Sequence, residues 1–120
     1  MTARILVVDD IEANRDLLET RLTAEYFNVI TASDGQEALK ICTETSVDLV
    51  LLDIMMPGID GSSLIRKVRE THADLKVIFI SGYAEDTFRK RVDDGGIVHF
   101  LPKPFSLKGL AAKVKDVMEG

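Results

Sequence analysis

The sequence lacks the features that are typical of membrane proteins, of nucleic-acid-binding proteins and of disulfide-bonded proteins. It contains a single cysteine, Cys42, so no disulfide can form within the chain. No apolar stretch approaches the roughly 20 residues that cross a bilayer, and the N-terminus lacks the basic-then-apolar pattern of a signal peptide. Acidic residues outnumber basic ones by 20 to 15, which gives a formal net charge of −5 and disfavours binding to phosphate backbones. These absences predict a cytoplasmic protein that binds neither membrane nor nucleic acid directly.

Length and composition are those of one folded domain. The chain has 120 residues, of which 46% are apolar and 29% charged, a balance typical of globular rather than disordered proteins. No repeat, low-complexity tract or linker interrupts it. We therefore expect a single domain over residues 1–120. Cys42 follows the apolar spacing of Leu39 and Ile41 and is expected to be a small core or boundary residue.

Five short apolar runs alternate with amphipathic stretches along the chain. Each run is typical of a buried strand, and each stretch between runs is typical of a helix. The runs are Ile5–Val8, Val29–Thr31, Leu49–Leu52, Val77–Ile80 and Val98–Leu101. Asp34 with Glu37 can form a capping box for the second helix, and Ser106 can cap the last one. The alternation predicts an α/β fold, a parallel sheet with helices on both faces.

Acidic residues follow two of the predicted strands. Asp9 and Asp10 come directly after the first, and Asp53 directly after the third. Because the carboxyl ends of parallel strands meet at one edge of a sheet, three carboxylates should converge there. Such a cluster repels itself unless a hard divalent cation neutralises it, and Mg²⁺ is the natural candidate. The alternative interpretation is that Asp9 and Asp10 only favour the start of a helix and Asp53 only begins a loop.

The segment around Asp53 carries a specific resemblance to a known family. It reads Leu51-Leu52-Asp53-Ile54-Met55-Met56-Pro57-Gly58-Ile59-Asp60-Gly61. This segment resembles the phosphoacceptor segment of receiver domains of two-component response regulators. The rest of that family's pattern is present in order: the acidic pair, Ser81-Gly82 after the fourth strand, and Lys103-Pro104 after the fifth. The resemblance spans the whole chain and implies a three-layer flavodoxin-like (βα)5 fold with a five-stranded parallel sheet in the order 2-1-3-4-5.

The same resemblance implies the roles of individual residues. Asp53 would be the phosphoacceptor, a carboxylate nucleophile that forms an acyl phosphate. Lys103 and Ser81 would contact the phosphoryl oxygens and complete the catalytic set. The implied direct Mg²⁺ ligands are Asp10, Asp53 and the main-chain carbonyl of Met55, and Asp9 would bind the ion either directly or through a water molecule. Ser81 and Phe100 would form a switch that alters the surface near strands 4 and 5.

The resemblance also implies the kind of partner. The phosphoryl donor would be a histidine kinase or a histidine phosphotransfer protein, and the output an attached domain or a homodimer through the face of helix 4, strand 5 and helix 5. The chain would be a signalling domain rather than an enzyme, although it would catalyse its own phosphotransfer and slow dephosphorylation. Its first half most resembles receivers of diguanylate cyclases, and its second half receivers of hybrid histidine kinases.

Two other classes of protein fit parts of the pattern. A Mg²⁺-dependent phosphohydrolase could use the same aspartyl intermediate, but the chain has no segment for a cap domain and little length for a substrate pocket. A nucleotide-binding flavodoxin-like module would need a glycine-rich loop after the first strand, where Asp9 and Asp10 would instead repel phosphates. His72 and His99 have no spacing suited to a metal or a triad, so we expect surface or boundary roles for both.

Overall fold

A parallel sheet forms the centre of the computed structural model, which describes residues 3–53, 70, 75–81, 98–102 and 106–119. Its strands are β1 (Arg4–Val8), β2 (Asn28–Ala32), β3 (Leu49–Asp53), β4 (Lys76–Ser81) and β5 (Val98–Pro102). They run in the order β2-β1-β3-β4-β5, as the family resemblance implied. Each strand begins and ends within one residue of the apolar run that predicted it.

Within the described residues, three helices cover the sheet. They are α1 (Glu12–Ala24), α2 (Gly35–Glu44) and α3 (Leu107–Glu119), the last being the C-terminal helix. Apolar side chains of α1 and α3 pack together on one face of the sheet, and those of α2 pack on the other. The predicted three-layer flavodoxin-like fold is confirmed. The alternation of the sequence also predicts a third helix around 64–68 and a fourth around 87–93, and both lie outside the described residues.

The central strands explain why their sequences are continuous apolar runs. In β1, Ile5 and Val7 pack into the core shared with α1 and α3, whereas Leu6 and Val8 pack into the core shared with α2. All four side chains are at most 1% exposed. A strand covered on both faces has no polar side to present, so alternation of polar and apolar residues disappears.

Helix α2 begins at a side-chain cap, as predicted, but the predicted capping box closes differently. Asp34 Oδ1 accepts a hydrogen bond from the Glu37 amide at 2.8 Å. The Glu37 carboxylate, however, accepts from the amide and hydroxyl of Ser33, at 3.3 and 2.9 Å. The reciprocal bond of Glu37 is therefore made with Ser33, one residue before the cap Asp34. On the inner face of α2, Cys42 is buried as expected, and this burial raises the pKa of its thiol.

Helix α3 is capped as predicted, and it buries the apolar stripe that recurs at helical spacing in its sequence. The Gly109 amide donates to Ser106 Oγ at 2.9 Å, which satisfies one of the amides that a helix start leaves without an intrahelical partner. Four residues of the stripe are buried and two partly buried; they are Leu110, Ala111, Val114 and Val117, with Leu107 and Met118.

The end of α1 contains one correction and one unusual backbone. The apolar spacing in the sequence predicts that Leu17, Leu18 and Leu22 share one buried face of this helix, but Leu17 is 51% exposed and only the other two are buried. After the helix, the Tyr26 amide bonds the Thr23 carbonyl and the Phe27 amide bonds the Leu22 carbonyl. This is a Schellman motif, in which the residue after the cap takes a left-handed conformation. Here that residue is Tyr26, with φ 69°.

Hydrogen bonds join distant segments of the chain at the edge of the sheet where the strands begin, which we call the amino edge. The Arg4 amide donates to Asp48 Oδ2 at 2.8 Å, and Arg4 Nη1 donates to the Ser46 carbonyl at 3.0 Å. Lys76, the first residue of β4, donates from Nζ to the Met118 carbonyl at 3.1 Å. The last turn of α3 is thereby held against the start of a central strand.

An ion-pair network joins α1 to α3. Glu25, at the end of α1, contacts Arg21 at 3.2 Å through one carboxylate oxygen and Lys115 of α3 through the other. The hydrogen bond from Lys115 lowers the pKa of Glu25, and the charges of Lys115 and Arg21 lower it further, against partial burial that acts to raise it. The two helices of this face are therefore linked by charge as well as by apolar packing.

Candidate functional site at the carboxyl edge of the sheet

The strand register brings the predicted site residues to one edge of the sheet, which we call the carboxyl edge. Val8 of β1 pairs with Leu52 of β3, so the residues that follow them, Asp9 and Asp53, stand at neighbouring positions. Asp53 is the last residue of β3, and Ser81 is the last residue of β4. Acidic positions and a hydroxyl-bearing position therefore lie at the ends of three adjacent strands.

Asp9 is a buried carboxylate held by hydrogen bonds. It is 4% exposed, the one charged side chain found buried among the described residues. Its Oδ1 accepts from the Ile11 amide at 2.9 Å and its Oδ2 from Asn14 Nδ2 at 3.3 Å. The bond to the amide two residues on is the turn that aspartate side chains favour. Because burying a charged carboxylate is costly without such partners, these bonds are what allow Asp9 to lie inside the edge.

The bond between Asp9 and Ile11 also bears on the capping interpretation of the acidic pair. Helix α1 begins after Ile11, whose side chain makes no capping hydrogen bond. Asp9 thus supplies a carboxylate just before the helix, as the capping interpretation requires, while its position at the end of β1 also satisfies the interpretation as a site residue. Asp10, in contrast, is exposed, so its side chain is accessible to an incoming ion.

Asn14 and Arg15 were not predicted from the sequence, although both contact Asp9. Arg15 Nη1 donates to the main-chain carbonyl of Asp9 at 2.7 Å, and Asn14 bonds its carboxylate. Both residues belong to the first turns of α1 and both are half-buried. The signal that could have found them is the helix start itself, because the first turns of a helix after a strand lie beside the strand's end.

Several predicted site residues lie outside the described part of the structure. Met55 and Lys103 do so entirely, and so do the side chains of Asp53, Ser81 and Phe100, whose backbones are placed in β3, β4 and β5. Among the residues that are described, no group of three or more histidine, cysteine, aspartate or glutamate side chains is arranged to hold a metal ion. The roles of these residues therefore stay predictions.

The donors present at the carboxyl edge fit the chemistry of Mg²⁺. This ion prefers oxygen ligands and keeps several waters, so one or two carboxylates suffice. Asp9 provides an oriented carboxylate and Asp10 an accessible one, and Asp53 lies on the neighbouring strand end. The residues thus match the hard-oxygen donor set of a magnesium site rather than the nitrogen and sulfur ligands typical of zinc.

His99 has the boundary role that was expected of it. It lies on the edge strand β5 and is half-buried. Desolvation lowers the pKa of its imidazole, and the positive charge of Lys113 adds to this, whereas Asp116 opposes it. His72 lies outside the described residues.

Comparison with known proteins agrees with the fold. The chain belongs to the response regulator receiver domain family, which it matches over residues 5–115. It is 44% identical over 120 residues to the sensor kinase CckA of Brucella abortus, covering 98% of this chain and 13% of that protein. It is also 44% identical over 119 residues to the response regulator PleD of Caulobacter vibrioides, covering 98% of this chain and 26% of PleD.

The similar solved structures include a receiver domain of CckA. The receiver domain of the hybrid histidine kinase CckA superposes with a TM-score of 0.80 at 41% identity, covering 97% of this chain and 99% of that one. The relatives thus include both kinds of receiver that the two halves of the sequence resemble, and each matches over almost the whole chain. The chain spans 13% and 26% of the two curated relatives. Within its described residues, no helix is both long and apolar enough to cross a membrane.

Proposed function

We propose that this receiver domain is a phosphorylation-dependent signalling switch that accepts a phosphoryl group on Asp53. The donor is the phosphohistidine of a histidine kinase or of a histidine phosphotransfer protein. The observation that carries this proposal is the strand register, in which Asp53 ends β3 directly beside the end of β1, where Asp9 and Asp10 follow. A carboxylate nucleophile and additional hard-oxygen donors thereby stand at neighbouring strand ends.

The chemistry at Asp53 is attack by a carboxylate oxygen on phosphorus, with departure of the donor imidazole and formation of an acyl phosphate. The reaction needs positive charge on the phosphoryl oxygens, because a carboxylate and a phosphoryl group repel each other. Lys103, one residue after the end of β5, is the residue that we assign to this task. Ser81 supplies a hydroxyl donor from the end of the adjacent strand β4.

Mg²⁺ bound by Asp9, Asp10, Asp53 and the Met55 carbonyl would supply further positive charge to the same oxygens. The chain's own contribution is to hold the oxygens of Asp9 in place through Ile11 and Asn14. Asp9 therefore enters the reaction already oriented, which avoids a reorganisation cost at the moment of transfer.

The output side of the proposal is a change of surface at β4 and β5, led by Ser81 and Phe100. The register supports this pairing of residues, because Phe100 is opposite Phe79, two residues before Ser81. A ligand that draws Ser81 toward the phosphoryl group acts on the strand that borders Phe100. Two arrangements of this pair with different affinities for a partner would suffice for a switch.

The wider role follows from this chemistry. The domain over residues 1–120 would be a cytoplasmic signalling module, not a metabolic enzyme, and its catalysis would be limited to its own phosphotransfer and slow dephosphorylation. Its partner after phosphorylation would be an output domain or a second receiver bound through the face that includes β5 and α3. Nucleic acid and membranes would not be direct partners.

The experiment is intact-protein mass spectrometry after treatment with acetyl phosphate and Mg²⁺. We expect wild type to gain one phosphoryl group and Asp53→Asn to gain none, because a neutral amide is a poor nucleophile. Asp48→Asn is the matched control: it also removes one carboxylate at the sheet, but at the amino edge, and it should be phosphorylated normally. A full adduct on Asp53→Asn would remove Asp53 from the assigned role.

A second arm separates the donor class. A phosphorylated histidine kinase and a panel of small phosphate esters are each incubated with wild type and with Asp53→Asn. Transfer from the kinase to wild type alone supports the receiver role. Turnover of the esters by wild type, without a lasting adduct, would instead make the protein a phosphohydrolase.

A further inference from the structure

Arg15 makes a main-chain contact that the proposed chemistry does not use. Its Nη1 donates at 2.7 Å to the carbonyl oxygen of Asp9, and the guanidinium is half-buried at the start of α1. The distance is that of a charge-assisted hydrogen bond, which is shorter and stronger than one between neutral groups. The contact therefore fixes the Asp9 carbonyl more firmly than a turn by itself would.

The fixed carbonyl belongs to the peptide group that joins Asp9 to Asp10. A peptide group is planar, so holding its oxygen sets the direction in which the backbone enters Asp10. The amide of Asp9 is held as well, by the Ala32 carbonyl at 3.1 Å. Among the described residues, no hydrogen bond is recorded for the exposed side chain of Asp10. The direction in which this side chain leaves the backbone is set by the peptide group that Arg15 holds.

We propose that Arg15 is a positioning residue for Asp10: by clamping the Asp9–Asp10 peptide group, it sets the affinity of the carboxyl edge for a divalent cation. This inference rests on the proposed function, in which Asp10 is a ligand of Mg²⁺. It assigns Arg15 no contact with the cation, with Asp53 or with the phosphoryl group.

The charge and the geometry of Arg15 act on cation binding in opposite directions. A guanidinium near Asp9 and Asp10 repels an incoming cation, so removal of its charge alone raises the affinity for Mg²⁺. Loss of the clamp leaves Asp10 free to rotate away and lowers that affinity, as the loss of groups that orient metal ligands commonly does. The sign of the change therefore tells which effect dominates, and a purely structural role would produce neither.

The test compares Arg15→Met, Arg15→Lys and wild type as the full chain, titrated with Mg²⁺ alone and followed by calorimetry and amide chemical shifts. We expect Arg15→Met to weaken Mg²⁺ binding about ten-fold, the lower end of the effects seen for residues that orient ligands. Arg15→Lys keeps the charge but lacks the planar fork, so its affinity should lie between the two. The titrations are run at a temperature where denaturation curves show every variant to be fully folded.

Arg4→Met is the matched control. Arg4 makes the same kind of bond, from Nη1 to a main-chain carbonyl at 3.0 Å, but at the opposite end of β1. We expect this variant to lose stability and to keep wild-type affinity for Mg²⁺. A similar loss of affinity in both variants would show that any weakened loop lowers binding, and would overturn the positioning role.

The remaining outcomes separate this inference from the proposed function. Unchanged or tighter Mg²⁺ binding by Arg15→Met, with normal binding by wild type, overturns the inference and leaves the proposed function intact. Absence of Mg²⁺ binding by wild type overturns both. If Arg15→Met does not fold, Arg15→Lys decides, because it changes the geometry at constant charge: weaker binding supports the clamp, and wild-type binding contradicts it.

Discussion

The two edges of the sheet treat charge in opposite ways. At the amino edge, charged groups meet opposite charges or backbone partners: Glu25 lies between Arg21 and Lys115, and Lys76 donates to a helix carbonyl. At the carboxyl edge, the acidic positions 9, 10 and 53 fall at the ends of neighbouring strands. One edge brings unlike charges together, and the other places acidic positions at neighbouring strand ends.

Under the proposed function, the amino edge serves stability and the carboxyl edge serves binding. Paired charges and hydrogen-bonded carbonyls stabilise the fold without a ligand, so the amino edge holds the helices to the sheet. Clustered carboxylates repel each other and gain stability when a cation arrives. The hydrogen bonds around Asp9 hold this arrangement together before the cation binds. Under the proposed function, the site for Mg²⁺ and a phosphoryl group would thus lie where the fold tolerates electrostatic strain.

Among substitutions that test this difference between the two edges, we expect the largest effect at Asp10. Asp10→Asn removes one of three like charges, so the metal-free protein should become more stable while Mg²⁺ binds at least about ten-fold more weakly, a change equivalent to about 1.4 kcal/mol. Thermal unfolding with and without Mg²⁺ measures both. A gain of about 1 kcal/mol would raise Tm by roughly 4 °C in a domain of this size.

The control for Asp10→Asn is Asp48→Asn at the amino edge. Asp48 accepts a hydrogen bond from the Arg4 amide at 2.8 Å, so neutralising it should weaken a useful contact. We expect lower stability and an unchanged response to Mg²⁺. If both variants shift stability in the same direction and neither alters Mg²⁺ binding, the two edges do not differ as proposed.

The sequence predicted the fold well, because the elements that define it are local. The apolar runs of β1, β3 and β4 are long enough to require burial on both faces, and the caps at Asp34 and Ser106 formed as expected. The errors concern side-chain direction. Leu17 is exposed although its neighbour Leu18 is buried, because α1 buries a narrower face than α3, where the neighbours Leu110 and Ala111 are both buried. Glu37 bonds Ser33 because its side chain is long enough to reach past Asp34.

The candidate site was predictable only in part, since it depends on contacts between segments. Strand ends can be located from sequence, and this placed Asp9, Asp53 and Ser81 at a common edge. The partners of Asp9 were missed although Asn14 and Arg15 lie only five and six residues after it, because the sequence does not show which side chains of a helix start face the end of the preceding strand. The left-handed backbone at Tyr26 was also missed, because tyrosine is not a residue that commonly indicates this conformation.

A smaller effect is expected at Tyr26, at the amino edge, where a substitution should change stability and not Mg²⁺ binding. Its φ of 69° lies in the left-handed region, which is unfavourable for an L-residue that has a side chain. The ring is 88% exposed, so removing it costs the protein few contacts. Tyr26→Gly should therefore stabilise the fold by about 0.5–1 kcal/mol, after allowance for the greater freedom of glycine in the unfolded chain. Chemical denaturation measures this, and Mg²⁺ affinity should not change.

Two further substitutions at this position check the cause. Asparagine tolerates the left-handed region and should also stabilise, though less than glycine, whereas Tyr26→Val should destabilise because a β-branched residue fits that region poorly. The expected order of stability is Gly, Asn, Tyr, Val. Equal stability of all four variants would show that the backbone at position 26 carries no strain.

The smallest expected effect is a pH-dependent one at the Glu25 network. Because Lys115 and Arg21 lower the pKa of Glu25 in the folded protein, the network stabilises the fold at pH values above the ordinary value of 4.5. That stabilisation is lost as the pH falls from there through the lowered pKa, since Glu25 takes up a proton more readily in the unfolded chain. Surface pairs of this kind are weak and are screened by salt.

Lys115→Met isolates this contribution while keeping most of the apolar stem of the side chain. We expect the variant to have a slightly lower Tm than wild type at pH 7 and low salt, and the difference to shrink toward pH 3 and at high salt. Lys40→Met, at an exposed lysine of α2, is the control and should show no such convergence. A difference for Lys115→Met that persists unchanged at pH 3 would mean that Lys115 stabilises the helix pair through packing of its stem, and that unlike charges contribute nothing to the amino edge at this point.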